Sequence, residues 1–240
     1  MRVKITIYSF WILFFFIFLK LFRAMITNLS SNNSLLCTWI REIRDTDIQE
    51  DRARFRRNME RIGEIAAYEI SKLLPYNEVP VQTPMGEASC VELEGQPVLA
   101  TILRAGIPLH QGLLNYFDRA DNAFVAAYRK HHRDGSFEIE QHYVTSPNLE
   151  GRALIIADPM LATGASLVLA LENLTEEHEP SQIHIVTAIA STVGLEYVQR
   201  KFPQAHIWTG AIDEELTARG YIVPGLGDAG DLAYGSKKQG

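Results

Sequence analysis

The sequence predicts an α/β protein with a mostly parallel sheet flanked by helices on both faces, and three observations support this. Short apolar runs at Val98–Leu103, 124–128, Ala153–Ala157, 184–190 and 206–212 have the length and β-former content of buried strands. Helical stretches near 166–177 and 193–202 separate the later runs, and such alternation makes a sheet that needs cover on both sides. Apolar residues are 47% of the 240 positions, enough for one sizeable core.

Taken in chain order, the first element is an apolar stretch at 5–19, flanked by Arg2, Lys4, Lys20 and Arg23. It falls short of the roughly 20 residues of a membrane span. No small-residue cleavage pattern follows it, and basic residues on both sides leave its orientation undecided. The preferred expectation is translation from Met25, with residues 1–24 an apolar leader outside the native protein and residues 25–240 a single domain. Membrane anchoring through residues 5–19 is the alternative. Residues 28–33 are polar and loop-like. A helix is predicted over 47–74: Thr46 and Gln49 have capping-box spacing, and Phe55, Met59, Ile62, Ala66, Ile70 and Leu73 recur at helical intervals before Pro75. Arg52, Arg54, Arg56 and Arg57 on that helix, interspersed with Asp51 and Glu60, read as a solvated face. After the 124–128 run, Arg133-Asp134-Gly135-Ser136 separates two alternating segments and predicts a β-hairpin arm.

Ligands of open parallel sheets bind beyond the carboxyl ends of the strands, so the residues after each apolar run carry the chemistry. Ala153–Ala157 leads into Asp158-Pro159-Met160-Leu161-Ala162-Thr163-Gly164-Ala165-Ser166 and then a helix. Small side chains at Ala162, Gly164 and Ala165 let a phosphate approach the backbone, Thr163 and Ser166 add hydroxyl donors, and the helix start adds N–H groups and a positive dipole end. Asp158 at the strand tip suits the two hydroxyls of a ribose. Helix capping by Asp158 and Thr163 is the plainer alternative. No GK[ST] follows the glycine, which excludes a Walker loop, and no GxGxxG or GxSxG occurs here. Arg104 and Arg129 follow two further strands, where a guanidinium fork suits a diphosphate, although a surface salt bridge is the commoner fate of one arginine. The segment from Gly220 to Asp231, with its glycines and proline, is expected to form neither regular helix nor strand. Its backbone suits a flat base with alternating donors and acceptors, though for this segment taken alone a glycine-rich connection to the C-terminus is the better explanation.

DPMLATGAS and GYIVPGLGDAGD, with ILRAG and AYR upstream in the same order, resemble the uracil phosphoribosyltransferase family over roughly residues 39–234. The resemblance implies the type I phosphoribosyltransferase fold with a small C-terminal hood over the base site. It also implies conversion of uracil and 5-phosphoribosyl 1-diphosphate (PRPP) to UMP and pyrophosphate, a step of pyrimidine salvage. By that resemblance, Asp158, Pro159, Met160, Leu161, Ala162, Thr163, Gly164, Ala165 and Ser166 hold the ribose and its 5′-phosphate. Arg104 and Arg129 meet the pyrophosphate side. Ile222, Gly227, Asp228 and Ala229 recognise uracil, Asp228 also lying near PRPP, and the catalytic assignments are Asp228 and Arg104. Mg²⁺ is the implied cofactor, carried by PRPP with no direct protein ligand. The family loop commonly reads TGGS, and Ala165 departs from it at a position where a methyl group is harmful only if φ is positive.

The resemblance further implies a homodimer or higher homo-oligomer, admits GTP as an allosteric activator, and places the enzyme in the cytoplasm with its substrates. The rival readings are an RNA-binding regulator of this fold, against which the net charge of −6 argues, and a silent nucleotide-binding relative. Cys37 and Cys90 read as free thiols, the turn pair His131-His132 as exposed, and His110, His184 and His206 as structural.

Overall fold

The computed structural model describes residues 26–131 and 137–237, without the side chains of 127–142. The apolar stretch at 5–19, the hairpin turn at 133–136 and His132 lie outside the described residues, as does the side chain of Arg129. No helix among the described residues is long and apolar enough to cross a membrane.

An eight-stranded sheet forms the centre. Its strands are β1 (Ile26–Asn28), β4 (Val98–Leu103), β5 (Asp121–His131), β6 (Phe137–Thr145), β7 (Ala153–Ala157), β8 (Met160–Leu161), β9 (Gln182–Ser191) and β10 (His206–Asp213). They lie in the order β1-β10-β9-β7-β4-β5-β6, with β8 against the end of β9. Every pairing is parallel except β5 with β6, the predicted hairpin arm. Successive side chains of β7 go to opposite faces: Ile155 and Ala157 join one buried cluster, Leu154 and Ile156 the other. The first cluster is covered by α1 (Leu35–Arg44), α2 (Arg52–Ser71) and α3 (Ile107–Leu114), the second by α4 (Ala165–Leu174) and α5 (Thr192–Lys201). The predicted fold class holds.

Several expectations need correction. Helix α2 starts at Arg52 and ends at Ser71, inside the expected 47–74, because Asp51 is its cap: the carboxylate accepts from the N–H groups of Ala53 (3.0 Å) and Arg54 (3.1 Å). Thr46 and Gln49 lie in the turns before it. The arginines of α2 are more than a solvated face. Arg54 forks onto the buried Glu42 of α1 at 2.6 and 3.0 Å, and Arg56 Nη1 donates to Ala233 O at 2.7 Å; Arg57 stays with Glu60 and Glu64 of its own helix. The 220–231 segment also contains regular structure. Ile222–Val223 is strand β12, paired with β11 (Glu215–Leu216), and α6 (Ala229–Tyr234) starts within the segment because Asp228 caps it. The sequence reading did not name α1, although Leu36, Ile40 and Ile43 recur in it at helical spacing, nor α3 or the separate hairpin of β2 (Tyr76–Thr83) and β3 (Gly86–Leu93).

His110, His184 and His206 are all buried, as a structural role requires. His184 is 3% exposed, accepts from Trp208 Nε1 at 3.2 Å and bonds Gln182 at 2.9 Å. Burial, with His206 adding repulsion, holds it neutral with a pKa of about 4.

Candidate active site

The strand order fixes where a site can form. From β4 the chain crosses through α3 to β5 on one side, and from β7 it crosses through α4 to β9 on the other. Neighbouring strands β4 and β7 therefore flank the point where the winding reverses, the place beyond the carboxyl ends where open parallel sheets take their ligands. Arg104 follows β4 directly, and Asp158 follows β7. Gly106 brings the two ends together: a methyl group there would overlap Thr101 Oγ1 and lie 2.8 Å from Ala157 O.

The 158–166 loop is braced from behind by β9. Asp158 N–H donates to Val186 O, Pro159 O accepts from the N–H groups of Ala188 and Ile189, each at 3.1 Å, and Leu161 N–H donates to Thr187 Oγ1 at 3.2 Å. Met160 and Leu161 are thus a short strand rather than loop. Ser191 Oγ donates to Ala162 O at 2.5 Å and accepts from Gly194 N–H at 2.9 Å, locking the loop to the first turn of α5. Gly164 is the cap of α4 at φ +80°, and a methyl group on it would meet Gly194 O, Tyr197 and Val198 at 3.1 Å each. Ala165 is already the first helical residue, and no described non-glycine residue has positive φ. The departure from TGGS therefore carries no backbone penalty. Pro159, Leu161, Ala162 and Gly164 are buried, whereas Asp158, Met160, Thr163, Ala165 and Ser166 are half-buried.

The hood is assembled from distant parts. Arg44, the last residue of α1, grips Asp213 at the end of β10 with two bonds of 2.8 Å. Arg44 also donates to Gly225 O at 3.0 Å, and Asp213 accepts from Gly225 N–H at 2.9 Å. This pins the turn between β12 and α6, where Gly225 has φ +56° and a methyl group would overlap Ile222 O. The side chains of Ile222 and Ala229 lie in the core, while Gly227 is exposed at φ +94°.

Asp228 is half-buried. Burial raises its pKa, but the Asp231 N–H at 3.0 Å, the Lys237 ammonium at 3.3 Å and the Gly230 N–H outweigh that and hold it below the usual carboxylate range. Arg104 reaches the same place, its Nη2 donating to Asp231 Oδ1 and Gly235 O at 2.7 Å each. A methyl group on Gly230 would lie 3.2 Å from Asp228 Oδ1, 3.6 Å from Arg104 Nε and 3.7 Å from Ala105 Cβ. The structure thus brings together Arg104, the 158–166 loop and Asp228. Arg129 lies on β5, its backbone paired with Ile139 toward the arm. Sequence reasoning missed Arg44, Asp213, Asp231 and Lys237. Asp213 carried a signal, since it stands at the carboxyl end of a strand like Arg104. Arg44 carried none.

Residues 30–236 match the family model described as uracil phosphoribosyltransferase. A uracil phosphoribosyltransferase of Porphyromonas gingivalis is 50% identical over 88% of this chain and 99% of its own length. One from Pyrococcus furiosus is 37% identical over 81% and 83%. Among solved structures, the AQ2163 protein of Aquifex aeolicus superposes with a TM-score of 0.79 at 32% identity, covering 88% of this chain and 98% of its own.

Proposed function

The chain belongs to the uracil phosphoribosyltransferase family, and from that premise we propose that it joins uracil to PRPP at the crevice between β4 and β7, releasing UMP and pyrophosphate. The observation that carries the reading is the convergence at one winding reversal of a phosphate-sized loop, an arginine and a capped carboxylate.

The 5′-phosphate sits at the start of α4, where N–H groups without helical partners and the hydroxyls of Thr163 and Ser166 meet it, and Asp158 takes the ribose hydroxyls. This fixes C1′ toward the base and gives the advantage of orientation. As the C1′–O bond breaks, the sugar becomes oxocarbenium-like and negative charge grows on the departing pyrophosphate. Arg104, with Arg129 as second cation, stabilises that charge. Uracil is read by the backbone from Gly227 to Ala229 and at Ile222. Asp228, ionised at neutral pH, lies beside both base and sugar. The half-buried Asp228 carboxylate, an oxygen donor held ionised, suits the neighbourhood of a hard cation carried by PRPP; bound there, Mg²⁺ would supply charge neutralisation to the leaving group. The hood excludes water, which would hydrolyse PRPP. No covalent nucleophile is required. A cytoplasmic location follows from the substrates, and a homodimer or higher homo-oligomer with GTP as activator is the accompanying reading.

The test supplies the folded full-length chain with uracil, PRPP and Mg²⁺ and assays UMP and pyrophosphate together. Equal amounts of both are expected; no product would turn the reading toward a nucleotide-binding relative without turnover.

A further inference from the structure

We propose that Asp231 is a positioning residue that aims Arg104 at the diphosphate, an inference that rests on the role given to Arg104 above. Asp231 is the third residue of α6 after its cap, Asp228. An acid at that position ordinarily turns back to the N–H of the cap residue. Here its Oδ1 instead takes Arg104 Nη2 at 2.7 Å, and the same nitrogen donates to Gly235 O at 2.7 Å. One corner of the guanidinium is thus anchored to the first turn of α6 and to the residue that ends it. A planar guanidinium held through Nη2 has its plane set, and Nη1 and Nε, on either side of that nitrogen, remain single donors for ligand oxygens. Gly230 lies close to both Arg104 Nε and Asp228 Oδ1, since a methyl group on it would be 3.6 and 3.2 Å from them.

The pair is a poor candidate for a purely structural tie. Arg104 and Asp231 have side chains 35% and 36% exposed, and ion pairs that open to solvent add little to stability. Helix α6 has other anchors: Ala229 and Ala233 are in the core, and Arg56 holds Ala233 O at 2.7 Å. What the contact does supply is pre-organisation. An arginine already fixed in direction loses less freedom when PRPP arrives, and that gain appears in the requirement for PRPP rather than for uracil.

The test is a double-mutant cycle on the full-length chain with Arg104→Ala, Asp231→Ala and the double variant, plus Asp231→Asn. It reads KM for each substrate, kcat and Tm. Arg104→Ala should raise KM for PRPP about tenfold or more, the loss of a charge-assisted hydrogen bond. Asp231→Ala should raise it by about tenfold as well, with KM for uracil within about twofold. The double variant should be no worse than Arg104→Ala, because the two residues act as one unit. Asp231→Asn, whose amide oxygen still accepts from Nη2, should recover part of the loss at unchanged Tm. An unchanged or lowered KM for PRPP in Asp231→Ala, or additive effects in the double variant, would overturn the positioning role while leaving that of Arg104 intact. Arg104→Ala with normal KM for PRPP would overturn both.

Discussion

The loop after β7 and the hood over it meet at one crevice but are built on opposite principles. The loop is a run of consecutive residues, 158–166, made of a strand end, a left-handed glycine and a helix start, and braced from one side by β9 and Ser191. The hood is a union of remote parts. Arg44 of α1, Asp213 of β10, Arg56 of α2 and Arg104 just after β4 all hold the segment from Gly225 to Gly235. A local motif fails when one backbone angle is made unavailable; an assembled one fails when any distant clamp is cut. The two parts should therefore break independently.

The largest expected effect is on the hood. Asp213 is 7% exposed, and Asp213→Ala strands the Arg44 guanidinium and frees Gly225 N–H. Removing one partner of a buried pair costs about 3–5 kcal/mol. Calorimetry should show that loss, and kinetics should show KM for uracil rising more than KM for PRPP. Equal rises would mean the hood and loop are one unit. Next comes the loop: Gly164→Ala imposes a positive φ on alanine and three contacts at 3.1 Å. About 1–3 kcal/mol of strain is expected, with KM for PRPP affected more than KM for uracil.

A smaller effect separates the regions by pH. Because the folded state holds the Asp228 pKa below its ordinary 3.8, its contribution is present above that value and disappears as pH falls through the folded pKa. Losing the cap of α6 costs about 1 kcal/mol. Amide exchange of residues 229–235, corrected for intrinsic rates, should lose protection on acidification; undiminished protection once the Asp228 carboxyl signal in NMR shows it protonated would show that the cap does not hold the helix. The smallest effect is at Ala165. Since that residue is helical, Ala165→Gly should lower stability by at most about 1 kcal/mol and should not raise turnover. A clear gain in kcat would show that the methyl group obstructs the phosphate.

Legibility in the sequence divided along the same line. β4 and β7 were bounded correctly from their apolar runs because a strand buried on both faces leaves an uninterrupted signature. The start of α2 was misplaced because capping-box spacing at Thr46 and Gln49 is matched by chance, whereas Asp51 makes the bonds. Helix α3, eight residues rich in Leu and Pro with a glycine, is too short for periodicity to show. The glycine-rich segment hid β12 and α6 because such brief elements are stabilised by what packs on them, not by propensity.

By itself the sequence determined the parallel α/β architecture, the loop from Asp158 to Ser166 and the family the chain belongs to. Each is written in neighbouring residues or in ordered motifs, so local stereochemistry and burial pattern suffice. Only the tertiary structure decided that β4 and β7 flank the winding reversal, that Ala165 is helical, and that Arg44, Asp213 and Asp231 hold the hood and Arg104 in place. Those are contacts between residues up to 181 positions apart, and only the packing of the sheet and its helices brings such residues within reach of one another.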